Sequence, residues 1–275
     1  AVAERALLVM LGAPEPAVRL TGARVAGRLF RAPLPGDDTP AARALPVTVG
    51  DALIALLNQP TALERLVAME SLGLARDVRA VSALTERHAY HVRNGPALER
   101  AATLDALARI GHPSSLELFT AALDDRWDAL RQLGYEGLAR LADRDGAAAA
   151  LGARPRDRRA HVALAHAFAR ARLLAGEGMR DIIEALGASA TRAQARGYLL
   201  ELGGAVTAPL LGALGHHEAE VRAALAEVLG LAGTREALAP LTPLASDRSR
   251  TVAEAAARAI SRIEAGLSSG TPRPR

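Results

Sequence analysis

Val221-Arg222-Ala223-Ala224-Leu225-Ala226-Glu227-Val228-Leu229-Gly230-Leu231-Ala232-Gly233 is the stretch that decides the fold. Val221, Ala224, Leu225, Val228 and Leu231 stand three or four residues apart, one apolar stripe of a 3.6-residue period. Gly233 stands where a left-handed residue ends a helix. The phrase returns from Glu99-Arg100 to Gly111 and from Leu130-Arg131 to Ala142. Anchoring on the residue before the recurrent arginine gives Val18, Glu64, Glu99, Leu130, Ala160, Thr191, Val221 and Val252, with steps of 46, 35, 31, 30, 31, 30 and 31. A step this constant means stacked helical hairpins, each burying a face that it cannot cover alone.

Each anchor opens the second helix of a pair. The first helices are expected over Glu4–Leu11, Asp51–Leu57, Arg79–His91, Ser114–Leu123, Gly146–Gly152, Met179–Leu186, Val206–Leu214 and Glu236–Leu244. Asp124-Asp125 and Ser246-Asp247 are N-cap candidates for the second helices that follow them. Two segments break the rhythm. Residues 31–50 carry Pro33, Pro35, Pro40 and Pro46, a loop inserted between the first two repeats, and the tail 267–275 reads as disordered. The expectation is an all-α chain, with one solenoid of about eight hairpins over residues 1–266.

Composition agrees. Half of the chain is apolar, yet aromatics make up only 3%, so the core is built from Ala, Leu and Val, which suit helices better than sheets. Every basic side chain is Arg and none is Lys, a usage that fits a GC-rich bacterial genome. The formal charge is only +4. The absence of cysteine excludes disulfides, thiolate metal sites and a Cys nucleophile. No apolar run is long enough for a membrane span, so a cytoplasmic protein is expected.

Ala208-Pro209-Leu210-Leu211, Glu220-Val221-Arg222, Leu229-Gly230 and Gly233 carry a resemblance to the HEAT-repeat family, in the bacterial subtype named for phycobilisome lyases. The resemblance implies an α-α superhelix whose second helices line a concave side where a partner lies. It also implies a role for the arginines Arg19, Arg65, Arg100, Arg131, Arg192 and Arg222. In that family an arginine at this position, with a polar residue six before it (here Gln59, Asn94, Asp125 and His216), ties the inter-helix turn to neighbouring repeats. A guanidinium suits the task because its planar fork makes several fixed bonds at once.

Partner-binding candidates on the second helices are Met69, Glu70, Asp105, Tyr135, Glu136, His166, Arg196 and Glu227, with Trp127 at the rim. Glu70, Asp105, Glu136 and Glu227 form a column five residues beyond the arginines. A repeat apart, they are too distant for paired acid–base work and are expected to pair with the arginine column or form a solvated rim. The basic patch Arg154, Arg156, Arg158 and Arg159, continued by Arg170 and Arg172, is a candidate anion-contact surface. Without interleaved aromatics it makes a poor nucleic-acid site. His88 and His91, three apart on one helix, reach one point, but Glu86 is the only carboxylate near them in sequence. His216-His217-Glu218 is similar to the His-Glu pairs of deoxyhypusine hydroxylase, which needs several such pairs. Arg126-Trp127-Asp128 is similar to the base-binding residues of HEAT-like alkylpurine glycosylases, which use a fuller set. No metal, cofactor or catalytic residue is therefore expected. The function expected is a non-catalytic scaffold or adaptor for another protein. The alternatives are a bilin-lyase-like or isomerase-like subunit, suggested by the subtype name alone, and nucleic-acid binding through Arg154–Arg172.

Overall fold

In the computed structural model, residues 2–33, 43–152, 154–232 and 235–268 are described. Gly233, residues 34–42 of the inserted loop and residues 269–275 of the tail lie outside them, as does the side chain of Asn94. All regular structure among the described residues is helical. The chain divides into two compact units, residues 2–33 with 43–155, and residues 156–268.

The first unit holds α1 (Val2–Leu11), α2 (Pro16–Leu29), α3 (Val47–Leu56), α4 (Ala62–Ala75), α5 (Val81–Asn94), α6 (Ala97–Ile110), α7 (Leu116–Ala122), α8 (Asp128–Arg140) and α9 (Arg144–Leu151). Each of α1, α3, α5 and α7 packs on the helix that follows it, and α2, α4, α6 and α8 lie side by side as a second layer. The second unit holds α10 (Ala160–Leu173), α11 (Met179–Glu184), α12 (Ser189–Leu202), α13 (Thr207–Gly212), α14 (Ala219–Ala232), α15 (Leu238–Leu241) and α16 (Arg250–Ser268). There α10, α12, α14 and α16 form the corresponding layer, with α11, α13 and α15 against it. α9 belongs to the first unit and α10 to the second.

Seven anchors stand third in their helix. Ala160 instead opens α10, and the fully buried Val162 takes the third place. The inserted loop ends earlier than expected, because Pro46 stands just before the first turn of α3 and α3 begins at Val47. Four of the expected first helices carry 3₁₀ turns, at Val78–Ala80, Pro113–Ser115, Gly203–Val206, and Arg235–Ala237 with Thr242–Ser246. Asp125 and Asp247 are not N-caps. Each accepts a backbone N–H two residues on, from Trp127 at 2.9 Å and Ser249 at 2.8 Å, and so shapes the turn before the helix. Asp124, beside them, pairs with Arg154.

Close packing of the second layer depends on small residues. A Cβ added at Gly230 would stand 2.7 Å from the Cα of Ala259, and one at Gly27 would stand 2.8 Å from the Cα of Ser71. These glycines occupy the same helical position, nine residues past the anchor, and let neighbouring backbones meet. The core is Ala, Leu and Val as composition requires, with Phe119 and Phe168 the largest of the fully buried side chains. Each buried Leu or Val contributes roughly 1.5–3 kcal/mol, set against a chain entropy of similar total size.

Candidate functional site

Five of the six recurrent arginines donate to two carbonyls of a turn, four of them through Nη1. Arg19 donates through Nη1 to the carbonyls of Ala13 and Pro14, at 2.7 and 2.6 Å. Arg65 does so to Gln59 and Pro60, Arg131 to Asp125 and Arg126, and Arg222 to His216 and His217. Arg192 reaches Leu186 through Nε and Gly187 through Nη2. Those carbonyls belong to the turn that opens the arginine's own helix and have no helical partner there.

Four of the arginines also reach forward to an acid of the next repeat. Arg19 bonds Glu64 at 2.7 Å and Arg65 bonds Glu99 at 2.8 and 2.6 Å. Arg222 bonds both oxygens of Asp247 at 2.9 Å, and Arg100 bonds Asp125. The acid has two alternative seats. Where it stands on the buried anchor, as Glu64 and Glu99, the turn residue five before is uncharged (Gln59, Asn94); where the anchor is apolar, as Leu130 and Val252, that turn residue is Asp125 or Asp247. The guanidinium beside each of Glu64, Glu99 and Asp247 holds its carboxyl below the usual range. Trp127, at the N-cap of α8, is half-exposed with the Arg126 guanidinium 5.6 Å from its ring centre.

The carboxylate column does not join this network. Asp105 pairs with Arg109 at 2.9 Å and Glu136 with Arg140 at 3.1 Å, both within one helix. Glu227 meets Arg196 of the preceding second helix at 3.4 Å, and Glu70 is exposed. Four of the nine partner candidates lie inside the protein: Met69 at 0% exposure, Tyr135 at 4%, His166 at 6% and Glu136 at 7%. A second helix packs against its own first helix and against neighbouring second helices, which buries positions five past the anchor such as Met69 and Tyr135. In the first unit the sixth and tenth positions are open at Glu70 and Leu74 and at Asp105 and Arg109, but closed at Glu136 and Arg140. In the second unit they are open at Glu227 and Leu231 and at Arg258 and Arg262, with Arg196 exposed at the fifth.

The basic patch is largely neutralised and belongs to two units. Arg154, in the first, holds Asp124 at 2.7 Å. In the second, Arg156 lies 3.8 Å from Asp181, Arg170 bonds Glu177 at 2.7 Å, and Arg172 is 3.6 Å from buried Glu201. Arg158 and Arg159 are exposed.

His88 and His91 point into the first unit, where both are buried, and the Nε2 of His91 lies 3.4 Å from the Glu99 carboxylate. Burial pushes His88 down to about 4, helped by the Arg100 guanidinium. Burial also lowers His91, against the pull of Glu99, with Arg87 and Arg65 adding to the descent. The guanidiniums that act on these rings, Arg100 on His88 and Arg87 and Arg65 on His91, make this a poor seat for a cation. Among the described residues no three of His, Asp and Glu gather as a metal site. The consequence is acid lability. Both histidines are neutral when folded, and an unfolded His takes its proton near 6.5. Stability is therefore whole above pH 6.5 and falls as pH drops from 6.5 towards 4, by about 3 kcal/mol for His88. His88→Leu should flatten the fall of melting temperature over that window in calorimetry; an unchanged slope would contradict the buried placement.

Sequence reading missed a groove on the open strip of the second unit. It is lined by Arg196 of α12, Glu227 and Leu231 of α14, and Ala255, Arg258 and Arg262 of α16. Part of its signal was in the sequence: the sixth position, acidic in four repeats, is arginine in the first and in the last, as Arg24 and Arg258.

Residues 207–273 match the family of HEAT repeats. A comparison with curated proteins gives no match. Among solved structures, the chain is similar to the complex of CpcE and CpcF of phycocyanin lyase from Nostoc, at 15% identity over 95% of this chain and 94% of that one, with a TM-score of 0.59. It is also similar to human deoxyhypusine hydroxylase in complex with glycerol, at 20% identity over 96% and 98%, with a TM-score of 0.39. An engineered protein follows at 16% identity over 96% and 78%, with a TM-score of 0.44. At such identities a likeness shows the fold alone, and the two lower scores carry no argument.

Proposed function

We propose, for a chain that carries HEAT repeats over residues 207–273 and paired helices in both units, that it is a non-catalytic scaffold or adaptor for another protein. The observation that supports this reading is the coupling of the turn arginines. Five of them fix their own turn, and four bond the next repeat, so within each unit the exposed positions of the second helices are held rigid before any partner arrives. A surface ordered in advance loses little entropy on binding, and many modest contacts then suffice. Partner contacts are assigned to the strip residues Glu70, Asp105, Arg196 and Glu227 and to half-exposed Trp127, since Trp and Arg dominate binding hot spots. The fold likeness to a two-protein complex is in keeping with this.

The test is affinity capture from the native cell with the wild-type chain and with a Glu70→Arg, Asp105→Arg, Trp127→Ala variant. A partner retained by the wild type should fall roughly tenfold or more on the variant, because exposed strip residues are hot-spot candidates. The melting temperature should stay within about 2 °C, as surface changes move stability little. Capture no better than an empty bait, or equal on the variant, contradicts the reading.

A further inference from the structure

We infer that the groove between α14 and α16 receives an acidic segment of the protein partner, read by Arg196, Arg258 and Arg262; this rests on the scaffold reading above. The groove measures about 190 Å³, below the roughly 300–1,000 Å³ of cofactor and small-molecule sites, so it takes side chains rather than a whole ligand. Its charge is unbalanced. Three guanidiniums face one carboxylate, and that carboxylate, Glu227, is held by Arg196 only at 3.4 Å, with both groups nearly half exposed. Arg258 lies 3.8 Å from Glu254, which is already bonded at 2.7 Å by Arg250. Arg262 is exposed and has no ion pair among the described residues.

Geometry narrows the ligand further. Arg258 and Arg262 are one helical step of four apart, about 6 Å along α16. Carboxylates on one face of a partner helix at the same step match them, and so do alternate side chains of an extended segment, about 6.6 Å apart. Leu231, 37% exposed at the groove edge, offers an apolar contact between the charges. Nucleic acid fits less well. No aromatic ring lines the groove for a base to stack on. The arginine fork grips a carboxylate with two parallel bonds, and the apolar edge at Leu231 suits a peptide.

The experiment is fluorescence anisotropy on the full chain with a fluorescein-labelled peptide of alternating Glu and Leu, a matched Gln–Leu peptide, and a single-stranded DNA oligonucleotide. The Glu–Leu peptide should bind, the Gln–Leu peptide should not, and raised salt should weaken binding by screening. Arg258→Glu with Arg262→Glu should weaken it roughly tenfold, since two exposed charge pairs are lost and two repulsions gained. Arg180→Glu with Arg235→Glu makes the same change in net charge away from the groove and should leave affinity within about twofold. An equal loss with that control, or no loss with the groove variant, overturns the inference. Oligonucleotide binding stronger than peptide binding and abolished by the groove variant overturns it too. A captured native partner that binds the groove variant as well as wild type sinks the groove while the scaffold reading stands. The absence of any partner sinks the reading itself.

Discussion

Val221→Asp unfolds the end of the second unit. Val221 is the third residue of α14, wholly buried, and its methyl lies against the turn at Gly187 that joins the two helices of the preceding hairpin. Two guanidiniums lie near, and both are engaged. Arg222 holds Asp247 and two turn carbonyls, and Arg192 spends on the Leu186 carbonyl the Nε that Arg19 and Arg65 turn to an anchor acid. Aspartate, a methylene shorter than Glu64 or Glu99, therefore meets no free cation. The charge must either stay unpaired in an apolar setting or take up a proton, and the expected loss is about 4 kcal/mol or more. Since a whole domain holds only about 5–15 kcal/mol, this removes much of its margin. Val221→Ala, which creates a small cavity and buries no charge, should cost about 2 kcal/mol. In a stack of repeats the damage passes to nearest neighbours first, so residues 189–268 should lose amide protection before α2, α4 and α6 do. Chemical denaturation followed by circular dichroism reads the difference. A Val221→Asp protein as stable as Val221→Ala would mean that the side chain does not face the core.

Glu99→Ala is the second large effect, expected in the first unit. Glu99 is 3% exposed and takes two bonds from Arg65, at 2.8 and 2.6 Å. Its removal leaves the Arg65 guanidinium partly buried, with only the carbonyls of Gln59 and Pro60, and takes from His91 the one group that favours its charged form. Breaking a buried pair in this way costs roughly 3–5 kcal/mol. Arg65→Met combined with Glu99→Leu should recover most of that loss, because the desolvation cost of both ions disappears with them. A double-mutant cycle in urea therefore separates the pair from its surroundings. The carboxylate also has a pH signature. Its folded value lies below 4.5, so its contribution is present above 4.5 and is lost as pH falls through the lowered value, adding to the earlier loss from His88.

The recurrence of Arg222 and its counterparts was enough to locate all eight second helices, because a 3.6-residue stripe with a fixed repeat length leaves little freedom in register. The arginines themselves were legible through the family resemblance; their acids were not. An acid on Glu64 and Glu99 and an acid on Asp125 and Asp247 are different sequence positions that meet the same guanidinium in space. Met69, Tyr135 and His166 show where one-helix reasoning stops. A helical stripe tells which face is greasy, but a helix enclosed on three sides buries flanking positions too, and only packing against the neighbouring layer reveals that. Short first helices such as α13 and α15 frayed into 3₁₀ turns that no periodicity marks over four to six residues.

Amide hydrogen exchange read by mass spectrometry across the whole chain tests the central claim most directly. Slow exchange should recur in eight blocks that coincide with residues 16–29, 62–75, 97–110, 128–140, 160–173, 189–202, 219–232 and 250–268, each followed by a fast turn. Blocks of protection that fall out of step with those eight, or slow exchange running unbroken through the turns at Ala13, Gln59, Asp125 and His216, would contradict a stack of hairpins joined through their arginines.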